Sequence, residues 1–278
     1  MSARQCVAIV TGANKGIGLA IVRALCKRLN GYIYLTSRNE ARGQNAIKDL
    51  ETEGLHPQFH LLDVTSLESI RCLQDYVISK HGGVDIFVHN AGIAYTGNDE
   101  AAFSEQASVT VSTNFTSLVN LCDTFLPTME DEGRFITLSS MVAKMALNKC
   151  SLEVQTFFKS PDLSEVLLLQ KMDEFVQAAQ YGNHEAIGFP SMAYGMSKLG
   201  VTAYTRIMGR KMRENNRSNT LINCACPGYV KTEMTNHRGT RTPDQGAKIP
   251  IYLSTLPKGL KEPSGEFFCK DRLDKWYS

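Results

Sequence analysis

Short β-branched runs recur along this chain, and each is followed by turn residues and then by a stretch of helical period. The runs are Cys6–Val10, Tyr32–Thr36, Phe59–Leu62, Ile86–Val88, Phe135–Leu138, Leu221–Cys226 and Glu266–Phe268. They are apolar without clear alternation, as strands covered on both faces are. Between them, helical periodicity runs from Leu19 to Leu29, Arg42 to Leu50, Leu67 to Ile78, Ser104 to Phe125, Tyr194 to Met212 and Asp244 to Leu256. About seven strands alternating with helices predict an α/β, Rossmann-like, doubly wound parallel sheet. The 278 residues suit a single domain. The alternation breaks once, over about 145–190, where the segment is too small for a good core of its own. Two short helices are predicted there, Leu152–Phe158 and Ser164–Ala179. The second carries an apolar stripe at Val166, Leu169, Met172, Phe175 and Val176. We read this segment as a helical insertion packed on the same domain.

The first strand leads into Thr11-Gly12-Ala13-Asn14-Lys15-Gly16-Ile17-Gly18 and then a helix. A glycine-rich strand-to-helix turn suits a phosphate, because the backbone can approach closely and free N–H groups face the anion. No Gly-Lys-Ser/Thr closes it, so it is not a P-loop. An NAD site usually places Asp or Glu after the second strand, on the ribose 2′-hydroxyl. Here Ser37 and Arg38 stand there, with Arg42 one turn on and Lys15 in the glycine loop. The missing carboxylate and these three cations point to a 2′-phosphate, hence NADPH/NADP. Asp63, before Val64 at the end of the third strand, either accepts from an adenine amino group or caps the next helix.

Tyr194 and Lys198 are four apart, so on a helix they share a face. A phenol titrates near 10, and an adjacent ammonium favours its phenolate. Such a phenol can protonate a carbonyl oxygen or take the proton back from an alcohol. Ser139-Ser140 end the fifth strand, where open α/β sheets place ligands. Asn114, interior to a helix, is poorly placed for helix stability and well placed for a specific hydrogen bond. Cys226, at a strand end, is read as either a reactive thiol beside the site or a core cysteine.

The formal net charge of +2 argues against nucleic acid or an anionic membrane as partner. No apolar stretch approaches the roughly 18 residues of a spanning helix, and the N-terminal apolar run is too short for a signal h-region. Eight scattered cysteines suit a reducing, cytoplasmic setting. Cys224-x-Cys226 has no second pair, so no metal site is expected.

Together these motifs resemble the short-chain dehydrogenase/reductase superfamily over almost the whole chain. The matches are Thr-Gly-x-x-x-Gly-x-Gly at 11–18, Asn90-Ala91-Gly92, Asn114, Ser140, Tyr194-x-x-x-Lys198 and Pro227-Gly228. The opening Asn14–Val22, Thr113-Asn114-Phe115, Ala193-Tyr194-Gly195 and Cys226-Pro227-Gly228 are similar to the monomeric NADPH-dependent carbonyl reductases. The resemblance implies Tyr194 as general acid, Lys198 as its partner and ribose ligand, and Ser140 on the substrate carbonyl. Asn114 would hold a water in a proton relay. Gly12, Asn14, Lys15, Gly16, Ile17, Gly18, Arg38, Arg42, Asp63, Val64, Asn90, Ala91, Gly92, Pro227, Gly228, Val230 and Thr232 would line the cofactor, with Tyr194 and Lys198. Tyr95 in Tyr95-Thr96-Gly97, Tyr229 and Phe189 would lie at or beside the substrate cleft. The sequence departs from the common Asn-Asn-Ala-Gly at His89, a position expected to support backbone. Ser140 and Tyr194 stand far apart, where many members hold them about a dozen residues apart; in monomeric members such a segment covers the oligomer surface. The implied activity is reduction of quinones, aldehydes and ketones by a monomer acting on small molecules. A more selective ketone or hydroxysteroid dehydrogenase and an NADPH-sensing regulatory binding protein are the alternatives.

Overall fold

A computed structural model describes residues 4–95, 100–214, 219–269 and 272–275. Seven parallel strands carry the chain: β1 (Cys6–Val10), β2 (Gly31–Ser37), β3 (Gln58–Leu61), β4 (Val84–His89), β5 (Met129–Leu138), β6 (Leu221–Cys226) and β7 (Glu266–Cys269). A short β8 (Arg272–Leu273) adds antiparallel to β7, so the order is β3-β2-β1-β4-β5-β6-β7-β8. The chain winds outward from β1 to β3, then crosses back to β4 beside β1. That reversal opens a crevice at the C-terminal ends of β1 and β4, the place for a ligand.

Both faces of the sheet are covered, which is why the strands read as unbroken apolar runs. Along β1, Val7 and Ile9 enter one core and Ala8 and Val10 the other. The second core lies under α1 (Gly16–Arg28), α2 (Glu40–Thr52) and the later α10 (Pro243–Ser254). The first lies under α3 (Leu67–His81), the rod α4–α5 (Phe103–Val111 and Ser117–Phe125), the insertion helices α6 (Val142–Lys149), α7 (Leu152–Lys159) and α8 (Glu165–Tyr181), and α9 (Ala193–Glu214). Side chains of Asn39, Ser66, Ser151, Ser164 and Thr242 cap α2, α3, α7, α8 and α10 by accepting from a first-turn amide. Among the described residues no helix is long and apolar enough to cross a membrane.

Four features differ from the sequence expectation. The helix expected over 104–125 is broken by one π turn, Ser112–Thr116, which holds Asn114. β5 begins at Met129, since Glu130-Asp131-Glu132 hides its first half from hydropathy. The insertion opens with α6, which the sequence reading did not separate. The expected stripe of α8 is turned: Val166 and Leu169 are exposed, while Leu168, Met172, Phe175, Ala178 and Ala179 face the core. Phe158, Phe175 and Met172 share that core with Phe115 of the π turn and Tyr204 of α9.

Candidate active site

The chain leaves β1 through Thr11 and Gly12 and enters α1 at Gly16, both glycines with positive φ (+60° and +58°). A Cβ on Gly12 would stand 2.9 Å from Ala91 Cα, and one on Gly18 would stand 2.5 Å from Asn90 Nδ2. Asn90 Nδ2 donates to the carbonyls of Thr11 (2.9 Å) and Gly12 (3.0 Å), while the Asn90 and Ala91 amides donate to Thr11 Oγ1. Asn90 and Ala91 thus brace the turn instead of reaching out of it. In contrast to α2, α3, α7, α8 and α10, α1 receives no side-chain cap from Lys15 and has no acidic residue in its first turn. Its leading amides are left to an incoming anion. Ile17 packs on the second core and Asn14 is half-buried in the loop.

Arg38 and Arg42 are exposed where β2 meets α2, and Asn39 between them is spent on capping Arg42 N. Lys15 is ion-paired with Glu233, a partner the sequence did not reveal. Asp63 is not the cap of α3, which is Ser66; its Oδ1 accepts from Thr65 N (2.9 Å) and Thr65 Oγ1 (2.7 Å). Val64 beside it is buried.

Tyr194 lies in the first turn of α9 and Lys198 one turn on, with Lys198 Nζ 5.8 Å from the phenol ring centroid. Lys198 is buried and donates to Leu138 O (2.7 Å), the last residue of β5. Burial lowers its ammonium to about 8. Burial also pushes the Tyr194 phenol up to about 12, opposed by a hydrogen bond with Ser140. The expected lowering by Lys198 is therefore not met: desolvation outweighs an ammonium that is itself turned to a carbonyl. Of the two serines ending β5, Ser139 is buried against Thr202 (2.5 Å), and Ser140 is the one that meets the phenol.

Asn114 is fixed from three sides. Its Oδ1 accepts from Ile93 N (2.8 Å), and its Nδ2 donates to Ile93 O (2.9 Å) and Ser197 Oγ (3.0 Å). A Cβ at Gly92 would meet Asn114 Oδ1 at 3.0 Å and Lys198 Nζ at 3.4 Å, so a larger residue there would crowd both side chains. His89 is buried beneath, Nδ1 3.4 Å from Thr11 Oγ1 and Nε2 3.4 Å from the Asn114 carbonyl. Burial, with Lys198 nearby, lowers its pKa to about 3 and holds it neutral. His89 thus supports the π-turn backbone at the Asn114 carbonyl and reaches the glycine turn through the Thr11 hydroxyl.

Beyond β6, Pro227 and Gly228 turn the chain (φ +82° at Gly228) into a doubled-back loop, where Val230 bridges to Arg241. Thr232 caps a short 3-10 turn, Glu233–Thr235, and its Cγ2 stands 3.3 Å from a Cβ placed on Gly16. Val230 is buried in this loop; Tyr229 is 52% exposed. Tyr95 lies 3.5 Å from Glu105; Thr96 and Gly97 lie outside the described residues. Phe189 does not flank a cleft: it is 1% exposed, edge-on to Phe175 inside the first core. Cys226 Sγ accepts from Met141 N (3.3 Å), and a hydrogen bond from Cys269 draws it down to about 6.

The family model for short chain dehydrogenases matches residues 6–152. The chain belongs to the short-chain dehydrogenase family. Within that family it is 43% identical over 277 residues to carbonyl reductase (NADPH) 1 of Mus musculus, covering 99% of this chain and 100% of the relative. It is 44% identical over 277 residues to carbonyl reductase (NADPH) 3 of Rattus norvegicus, with the same coverage. Among solved structures, salutaridine reductase from Papaver somniferum superimposes with a TM-score of 0.83 at 27% identity, covering 95% of this chain and 99% of that one. Menthone neomenthol reductase from Mentha piperita gives 0.81 at 27% identity, with coverage of 97% and 100%. Residues that join the family's motifs in this site, yet carried no signal of their own in the sequence, are Ser197 and Glu233. Each is chosen by a partner far away in the chain.

Proposed function

We propose that this short-chain dehydrogenase reduces the carbonyl group of quinones, aldehydes and ketones to alcohols with NADPH. The observation that carries the reading is the hydrogen-bonded pair Tyr194–Ser140 beside buried Lys198, at the sheet end where α1 presents uncapped amides. The residues fit the dinucleotide. The glycine turn has room only where side chains are missing, and Arg38, Arg42 and Lys15 supply positive charge where a 2′-phosphate would lie. Gly12, Asn14, Gly16, Ile17 and Gly18 would face the pyrophosphate, Asp63 and Val64 the adenine, and Gly92, Pro227, Gly228, Val230 and Thr232 the nicotinamide end.

NADPH, when bound, supplies a hydride to the carbonyl carbon. Ser140 holds the carbonyl oxygen as negative charge develops on it. Tyr194, with its proton firmly held at about 12, delivers that proton to the same oxygen. Lys198, near 8, returns a proton to the phenolate, and Asn114 in its π turn positions water to recharge Lys198. Tyr95 and Tyr229 contact the substrate's outer part. We further infer one domain, since the insertion shares the core of α9. A monomer is expected, because α8 covers α4 and α9, and a cytoplasmic setting suits the free cysteines. Purified protein should consume NADPH with a quinone, an aldehyde and a ketone; NADPH binding without consumption across that panel would refute the reading.

A further inference from the structure

Glu233 is the one acidic side chain described on Lys15, the cation the sequence assigns to the cofactor's 2′-phosphate. The same carboxylate feels Arg42 and His237. It is carried by the 3-10 turn Glu233–Thr235, which is tied by several local hydrogen bonds. Thr232 and Thr235 form a capping box, and Thr235 Oγ1 also donates to Val230 O (2.7 Å). Asn236 N donates to Glu233 O (2.9 Å) and His237 N to Thr232 O (2.8 Å). Thr232, at the start of the turn, lies beside Gly16 of the glycine loop, where a Cβ would stand 3.3 Å from its Cγ2. An anion that belongs to the loop after β6 thus occupies the cationic corner after β1 and β2.

We propose that Glu233 is an internal stand-in for the 2′-phosphate, competing for Lys15, so that a 2′-phosphorylated adenosine must displace it to bind. Displacement frees the Glu233–Thr235 turn from the glycine loop, whereas an adenosine without the 2′-phosphate leaves the ion pair in place. The pair is exposed, so its strength is modest and the exchange is readily reversible. Glu233 thereby lowers affinity for the phosphorylated cofactor and couples its arrival to the loop bearing Tyr229 and Val230. This inference rests on the NADPH reading above.

Calorimetric titration of the whole protein with 2′,5′-ADP and with 5′-AMP tests it without catalysis. Glu233→Gln should bind 2′,5′-ADP about five-fold tighter and 5′-AMP as wild type does. In a Lys15→Met background the same substitution should lose most of that gain, since the two act as a pair. In wild type, the Asn236 and His237 amides should exchange faster with 2′,5′-ADP bound than with 5′-AMP. If wild type binds both nucleotides equally, the NADPH reading falls and takes this inference with it. If wild type prefers 2′,5′-ADP but Glu233→Gln leaves both affinities unchanged, or the two amides exchange alike, Glu233 is no competitor and only the inference falls.

Discussion

The glycine turn after β1 and the cleft at the start of α9 lie at the same end of the sheet and are built on opposite principles. The turn offers main-chain amides and positive-φ glycines, and its one cation, Lys15, is at the surface in its ion pair with Glu233. The cleft gathers Tyr194, Lys198, His89 and Cys226, each moved from its ordinary pKa by burial or a neighbour. Binding a phosphate needs fixed dipoles and close approach, which backbone supplies at any pH. Moving a proton needs groups whose affinities for it differ and are shielded from bulk water. The turn should therefore be vulnerable to added volume, and the cleft to removed protons.

The sharpest separation comes from Tyr194→Phe. Removing the hydroxyl that meets Ser140 deletes the proton donor without touching the glycine turn. Turnover should fall by about 1,000-fold or more, while calorimetric affinity for NADPH stays as in wild type. Appreciable turnover by the variant would mean that the acid is another group.

The converse substitution is Gly12→Val. A side chain there meets Ala91 Cα at 2.9 Å and must adopt a φ of +60°. Strain and overpacking of about 2–3 kcal/mol should weaken NADPH binding by about 100-fold. Turnover at saturating cofactor should change far less, as Tyr194 and Ser140 lie elsewhere. Unaltered NADPH affinity would break the contrast between a region defined by shape and one defined by protons.

The asymmetry also explains what could be read in advance. Gly12 and Gly16 were legible because few other residues tolerate such backbone, Gly18 because a side chain there would strike Asn90, and Tyr194 with Lys198 because helical spacing puts them on one face. Strands announced themselves because both faces are buried. The start of β5 did not, since its acidic residues are half-exposed, and β8 is only two residues long. In the α8 stripe Met172, Phe175 and Val176 do face the core, but Val166 and Leu169 do not, as Leu167, Leu168 and Leu169 are consecutive and only the fold decides which points inward. Lys15–Glu233 and His89–Asn114 join residues distant in sequence, which composition and periodicity do not report. The phenol's upward shift escaped because proximity of a cation is visible in a motif and desolvation is not.

A smaller effect should appear in the pH profile. Lys198, lowered to about 8, is protonated below that value and neutral above it. If it recharges Tyr194 as an ammonium, the rate of reduction should be level below about 8 and fall up to about ten-fold per unit above it. Lys198→Arg keeps its charge at high pH, so whatever activity survives should lose this limb. A limb that persists unchanged in the arginine variant would assign it to a different group.

The smallest effect tests the cleft against its own wall. Cys224 and Cys226 are two apart on β6 and both enter the first core, yet they diverge. Burial pushes Cys224 up to about 12, whereas Cys226 is drawn to about 6. Cys224 is hydrogen-bonded by Thr205 and Thr202, yet burial outweighs both, whereas for Cys226 the hydrogen bond from its register partner Cys269 on β7 outweighs burial, helped by Met141 N. Cys226 is therefore the more readily ionised of the two, and only the thiolate attacks an alkylating agent. Iodoacetamide should modify Cys226 before Cys224, with a rate that rises through about pH 6. NADPH should slow the reaction by about three-fold if Cys226 borders the nicotinamide end, the order of effect expected from modest occlusion. Cys269→Ala removes the strongest hydrogen bond and should move the midpoint toward the ordinary thiol value, near 8.5. Equal rates for Cys224 and Cys226, or a midpoint indifferent to Cys269, would show that burial governs both thiols alike and that the cleft's proton chemistry stops short of β6.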